Sequence, residues 1–117
     1  MIRSALLSLF LTVTPALAGG PEIVAATAER SGMGWKISVT LVHGDESWEN
    51  YADGWEVLDM ADNRLGLREL MHPHTPDRPF TRSLPSVMIP DGTRKVKIRA
   101  RTKADGWGDQ VYILKLY

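Results

Sequence analysis

The sequence predicts an all-β fold, an antiparallel β-sandwich, on three observations. Two stretches alternate strictly between apolar and polar residues, turn residues recur at short intervals, and no stretch sustains a helical period. A chain of 117 residues has room for one domain rather than two. Its hydrophobic fraction of 44% and its four Trp supply enough apolar surface for a packed core, which excludes global disorder.

Residues 1–18 read as a secretory signal peptide. Arg3 is the positive head, Ala5-Leu6-Leu7-Ser8-Leu9-Phe10-Leu11-Thr12-Val13 the short apolar run, and Ala16-Leu17-Ala18 the small-x-small cleavage site, with Pro15 before it as a helix breaker. The apolar run falls short of the roughly 20 residues that span a bilayer. No second such run follows, so residues 19–117 are expected as one exported domain without a membrane anchor, periplasmic or secreted. The chain has no Cys, which excludes disulfides, thiolate metal sites, cysteine nucleophiles and a lipidated N-terminal Cys. Packing alone must hold the domain.

The clearest strand is Trp35-Lys36-Ile37-Ser38-Val39-Thr40-Leu41-Val42-His43. Trp35, Ile37, Val39, Leu41 and His43 share one face, and Lys36, Ser38 and Thr40 share the other. Lys95–Arg101 alternates as cleanly, with Val96, Ile98 and Ala100 inward and Lys95, Lys97, Arg99 and Arg101 outward. The cationic row reads as a solvated face that discourages edge aggregation. Further strands are expected over Glu22–Glu29, Trp55–Met60, Arg64–Leu70, Phe80–Ile89 (interrupted by Pro85) and Gln110–Tyr117. The turns between them are Ser31-Gly32, Asp53-Gly54, Asp62-Asn63, Pro90-Asp91-Gly92 and Asp105-Gly106. About seven strands in this length give a sandwich of immunoglobulin-like size.

If the chain reverses at every connection, segments 43–54, 71–79 and 103–109 gather at one end of the sandwich. That end holds all three His and most of the loop aromatics. Pro73 extends the backbone of His72-Pro73-His74, so both imidazoles project to one side. His43 joins them through the assumed topology. Three imidazoles with water, or with Asp45 or Asp105, would suit Zn(II) or Cu(II), although the spacing is no diagnostic metal motif. The competing reading makes His43 a hydrogen-bonded residue at the core edge and His72 and His74 parts of a Pro-ordered loop.

Trp48, Tyr51 and Trp107 offer rings for a sugar or a protein partner, beside Asp45 and Asp53. A small disulfide-free domain also needs burial, which argues that Trp48 and Trp107 fold over the open end as plugs. Arg82 is expected to pair with an acid of these loops, such as Asp45 or Asp53, with anion recognition as the less favoured role. No calcium loop, nucleophile elbow, zinc-protease helix or P-loop occurs. Fourteen Lys+Arg balance fourteen Asp+Glu, so charge gives no case for nucleic acid.

The blocks His43-Gly44-Asp45, Tyr51-Ala52-Asp53-Gly54-Trp55, Leu65-Gly66, His72-Pro73-His74, Pro79-Phe80-Thr81-Arg82-Ser83-Leu84, Ile89-Pro90 and Gly106-Trp107-Gly108 resemble a family of small uncharacterised secreted proteins of alphaproteobacteria. The resemblance covers most of residues 35–117 and implies an exported location but no activity. Many members place a His before Gly-Trp-Gly, where Asp105 stands here. The expected function is a non-catalytic binding or interaction module for a protein or small ligand, working through loops 43–54, 71–79 and 103–109. The alternative is a periplasmic copper or zinc protein using His43, His72, His74 and Asp105. An enzyme using the same His is the least supported reading.

Overall fold

The computed structural model describes residues 20–44, 47–76 and 78–117. The expected signal peptide lies outside the described residues, as do Asp45, Glu46 and Asp77. Eight strands form: β1 (Glu22–Ser31), β2 (Gly34–Val42), β3 (Ala52–Leu58), β4 (Arg64–Glu69), β5 (Phe80–Val87), β6 (Lys95–Thr102), β7 (Gly106–Trp107) and β8 (Tyr112–Lys115). One sheet has the order β1-β2-β5. The other has the order β4-β3-β6-β7, with β8 also paired to β6. Every pairing is antiparallel. No helix occurs among the described residues, so none there is long and apolar enough to cross a membrane.

The expected inner faces are the observed ones. Ile37, Val39 and Leu41 of β2 meet Trp55 and Val57 of β3 and Val96 and Ile98 of β6 in one core, each less than 2% exposed. Burying a large apolar side chain completely is worth roughly 1.5–3 kcal/mol, so these seven anchor the domain. Greek-key connections build it. β2 crosses to β3 in the opposite sheet, β4 crosses back to β5, and β5 crosses again to β6.

Several boundaries differ from expectation. β2 ends at Val42, one residue before His43, and β3 runs from Ala52 to Leu58, leaving Met60 in the following turn. β5 continues through Pro85, because β5 lies at a sheet edge and the register shifts there, with Ser86 at φ 60°. Edge strands and bulges are where a missing N–H does least harm. The expected last strand, Gln110–Tyr117, is shortened to β8, and the expected turn at Asp105-Gly106 carries an additional short strand, β7; both pair with β6, which raises the number from about seven to eight. Gln110 lies between β7 and β8. Its side-chain oxygen accepts from Ile23 N–H at 2.7 Å and its amide donates to Ile23 O at 3.1 Å, tying β1 to the second sheet.

Bulges also reset parity. The shift at Ile23/Ala25 in β1 leaves Val24 44% exposed and lets Ala26 and Ala28 pack against the core. A shift at Val57/Leu58 has the same effect on β4: Leu67 opposes Glu56 on the outer face, and Arg68 opposes Trp55 on the inner face. Gly66 allows β4 to approach β5, since a Cβ there would stand 2.8 Å from Leu84 Cδ2.

The β3–β4 turn is closed by Asp59. Its carboxylate accepts from Ala61 and Asn63 backbone N–H, each at 2.9 Å, and from the Asn63 amide at 3.0 Å. The Asn63 hydrogen bonds hold the Asp59 carboxyl below its ordinary value of 3.8. A lowered folded value means a contribution to stability that is present above 3.8 and lost as pH falls through the folded value. Thermal midpoints followed from neutral pH into the acid range are therefore expected to fall more steeply for the native chain than for Asp59→Asn. Parallel curves would show that the turn does not titrate with folding.

Candidate functional site

The three expected loops do meet at one end. Lys103 joins two of them: its N–H donates to Tyr51 O at 2.9 Å and its ammonium to Trp48 O at 3.2 Å, while the same ammonium lies 5.9 Å from the Tyr51 ring. Leu70 N–H donates to Asp53 O at 3.0 Å, which brings in the start of the third. Tyr51 is buried and meets Trp48 edge-on at 6.0 Å. Trp48 sits at the tip of a tight turn in which Asn50 N–H donates to Ser47 O at 3.1 Å. Its ring is 62% exposed, so it projects from the end and does not plug it.

Trp107 does not plug the end either. It pairs with Arg101 across β7 and β6 and lies on the outer face of the larger sheet. The guanidinium carbons of Arg99, Arg101 and Arg64 stand 5.0, 5.3 and 5.8 Å from its ring. Beneath them is Glu56, a buried carboxylate in the middle of β3. Arg64 Nε donates to Glu56 Oε1 at 2.9 Å, and Arg99 Nε and Nη2 donate to Oε2 at 2.9 and 2.6 Å. Arg101 Nε donates to Asp53 Oδ1 at 3.0 Å and approaches Glu69 at 3.8 Å, and Lys97 donates to Asp62 at 2.8 Å. The outward cations of β6 are thus a charge-paired layer and not a freely solvated face. A shallow groove of about 600 Å³ runs beside it, between Arg64, Lys97 and Val111.

The His residues part company. His72 and His74 stand with ring centroids 4.6 Å apart, as the extended His-Pro-His spacing predicts. His72 Nδ1 donates to Pro73 O at 3.0 Å. His74 stacks on Phe80 at 3.7 Å with the rings 3° from parallel. His43 follows β2 and is half-buried, and Asp105 sits in the β6–β7 turn, where its N–H donates to Thr102 Oγ1 at 3.0 Å. Among the described residues no group of three or more His, Asp or Glu is placed to hold a metal ion, so neither His43 nor Asp105 completes a ligand set with the pair.

Arg82 is not the partner of Asp53, which belongs to Arg101. Its Nη1 donates to Thr81 O at 2.7 Å and its guanidinium stands 5.5 Å from the Phe80 ring. Asp45, the other expected partner, lies outside the described residues. Arg82 opposes Val39 and so occupies an inward-facing register position, as Arg68 does opposite Trp55. The two help line a cavity of about 100 Å³ beside His72 and His74. Sequence reasoning missed Glu56, Arg64 and Arg68. The alternating cations of β6 were a signal, but their partner is fixed only by the β3–β6 neighbourhood.

Among curated proteins, the chain is similar to a protein of Halomicrobium mukohataei described as a "Putative lipoprotein", with 42% identity over 79 residues. The match covers 68% of this chain and 38% of that protein, so the chain spans well under half the length of the relative. That source is a halophilic archaeon, and the alphaproteobacterial setting implied by the resemblance is not supported. No family model matches the chain, and no solved structure matches it.

Removing the Glu56 carboxylate leaves Arg64 and Arg99 without their counter-charge. Fully buried pairs cost about 3–5 kcal/mol when broken, and these arginines still reach solvent, so Glu56→Ala is expected to lose about 1–3 kcal/mol in urea unfolding. Glu56→Ala unfolding at the native urea midpoint would show that the network contributes nothing net.

Proposed function

We propose that the protein is an exported, non-catalytic binding module that holds its partner at the loop end of the sandwich. The observation that carries this reading is Trp48. A Trp 62% exposed at the tip of a short hydrogen-bonded turn, braced by buried Tyr51 and by Lys103, is a presented ring and not a core residue. Aromatic anchors on a fixed frame lose little conformational freedom on binding, which is why they dominate interface energies. Exposed Met71 (71%) lies on the adjoining segment and widens the apolar surface, which suits a protein partner.

Export is supported by the head, apolar run and cleavage triplet of residues 1–18 and by the description of the relative. No lipid can be attached through Cys within these 117 residues, because none is present. A metal-binding reading draws only on the His72–His74 pair. Its setting does not favour a dication, since Arg68 and Arg82 line the same cavity and Glu69, which also lines it, is drawn to Arg101.

Both parts of the proposal can be tested in one expression host. The secreted product is expected to begin at Gly19, and N-terminal sequencing of a product still carrying residues 1–18 would remove the export reading. A photo-crosslinking residue in place of Trp48 is expected to give one discrete protein adduct in the native envelope, and the same residue in place of Lys36, on the outer face of the smaller sheet, none. Adducts of equal yield from both positions, or none from Trp48, would overturn the loop-end reading.

A further inference from the structure

We propose that the cavity where β4 and β5 meet, beside the segment 70–79, is a binding site for a compact oxyanion, a carboxylate or phosphate group, gripped by Arg68 and Arg82.

The first argument is position. Arg68 opposes Trp55 and Arg82 opposes Val39, both core residues, so the two guanidinium-bearing side chains start from the inner faces of the sandwich. A charge rooted there costs free energy unless something compensates it. The second argument is contrast. On the outer face, Arg64, Arg99 and Arg101 each reach a carboxylate within 3.0 Å. At the seam, neither Arg68 nor Arg82 forms an ion pair with any described carboxylate. Arg68 Nη1 makes a 3.3 Å bond to Glu69 O, and Arg82 Nη1 a 2.7 Å bond to Thr81 O. Glu69, the carboxylate nearest in sequence, also lines the cavity, but its side chain is 62% exposed and turns to Arg101, at 3.8 Å.

The third argument is an orphan donor. Arg68 Nε is buried and has no acceptor. Buried donors are nearly always satisfied, and one that is not marks a place for a missing partner. A guanidinium offers five N–H groups in a rigid fork that matches two oxygens of a carboxylate or phosphate. Two forks sharing a cavity of about 100 Å³ leave room for one small oxyanion group. The rings of His72 and His74, fixed by Pro73 and by the stack on Phe80, wall the cavity on the loop side. The site does not depend on Trp48, and its occupant need not be the partner of the loop tip.

The test is a titration of the isotope-labelled full domain, residues 19–117, with sodium phosphate and separately with sodium acetate, at ionic strength held constant with chloride. Saturable shifts are expected at the Arg68 Nε–H resonance and at the amides of residues 68–74 and 82. Arg68→Gln and Arg82→Gln are each expected to weaken binding at least tenfold, and Lys36→Ala, on the outer face of the smaller sheet, to leave it unchanged. Tighter binding of phosphate identifies a phosphate group as the occupant, and tighter binding of acetate a carboxylate. The proposal is overturned if neither anion shifts the Arg68 Nε–H resonance of the native chain beyond chloride. It is equally overturned if both Gln variants, with native-like spectra, bind as the native chain does. Should the Gln variants not fold, Arg68→Lys, which keeps the charge and loses the fork, takes their place with the same expected weakening.

Discussion

The domain rests on β3, the strand that is covered on both faces. Inward, Trp55 and Val57 lie in the same core as Ile37, Val39 and Leu41 of the opposite sheet. Outward, Glu56 is roofed by arginines and by Trp107. A strand buried on one side only would leave the larger sheet with a wet face and little to fix its twist. Burial on both sides makes β3 the place where hydrophobic packing and charge pairing are enforced together. With no Cys in the chain, no covalent link relieves that demand. Net stabilities of domains this size are only about 5–15 kcal/mol, so a few fully buried side chains are a large share of the whole.

Two sets of arginines then behave in opposite ways, and the difference is positional. Those on the outer face each reach a carboxylate: Arg99 stands opposite Glu56, Arg101 opposite Gly54 with Asp53 in reach, and Arg64 opposite Leu58 with Glu56 in reach. Their charges are spent in the fold, and Trp107 covers them as a flat lid with its ring face toward cations. Those at the β4–β5 seam start from inward positions with no carboxylate of the described residues in pair distance. One set therefore holds the structure, while the other keeps hydrogen-bonding capacity directed at a cavity. The same residue type serves both purposes because strand parity, and not composition, decides what it faces.

The loop end follows from the same frame. Antiparallel order at every pairing brings segments 43–54, 71–79 and 103–109 together, and Lys103 and Leu70 lock their bases with backbone hydrogen bonds. What they lock is a fixed base with a projecting ring. Nothing in this arrangement needs His43 near His72 and His74, since sharing an end of a sandwich does not place side chains in bonding distance of one point. The closeness of His72 to His74 follows from local geometry, the two-residue period of an extended backbone stiffened by Pro73, with a stack of His74 on Phe80.

By itself the sequence determined the class of fold, the inner faces of β2 and β6, the turns at Gly32, Asp62-Asn63 and Asp91-Gly92 but not that at Asp53-Gly54, which lies inside β3, and the closeness of His72 to His74. These depend on periods of two and on turn chemistry, which act within a few residues. Even the inward position of Arg82 was readable, since it alternates with Phe80 and Leu84. Tertiary structure alone decided the rest. Bulges in β1 and β4 inverted parity, so the apolar Leu67 faces out and Arg68 faces in, which no alternation rule anticipates. One partner of Glu56, Arg99, is 43 residues away, and it is chosen by which strands lie side by side. Trp107 looked like a plug because its sequence neighbours form a loop, yet pairing of β7 with β6 carried it onto the sheet. Long-range pairing and the one-residue shifts within it are properties of the assembled sheets, and a strand read alone does not contain them.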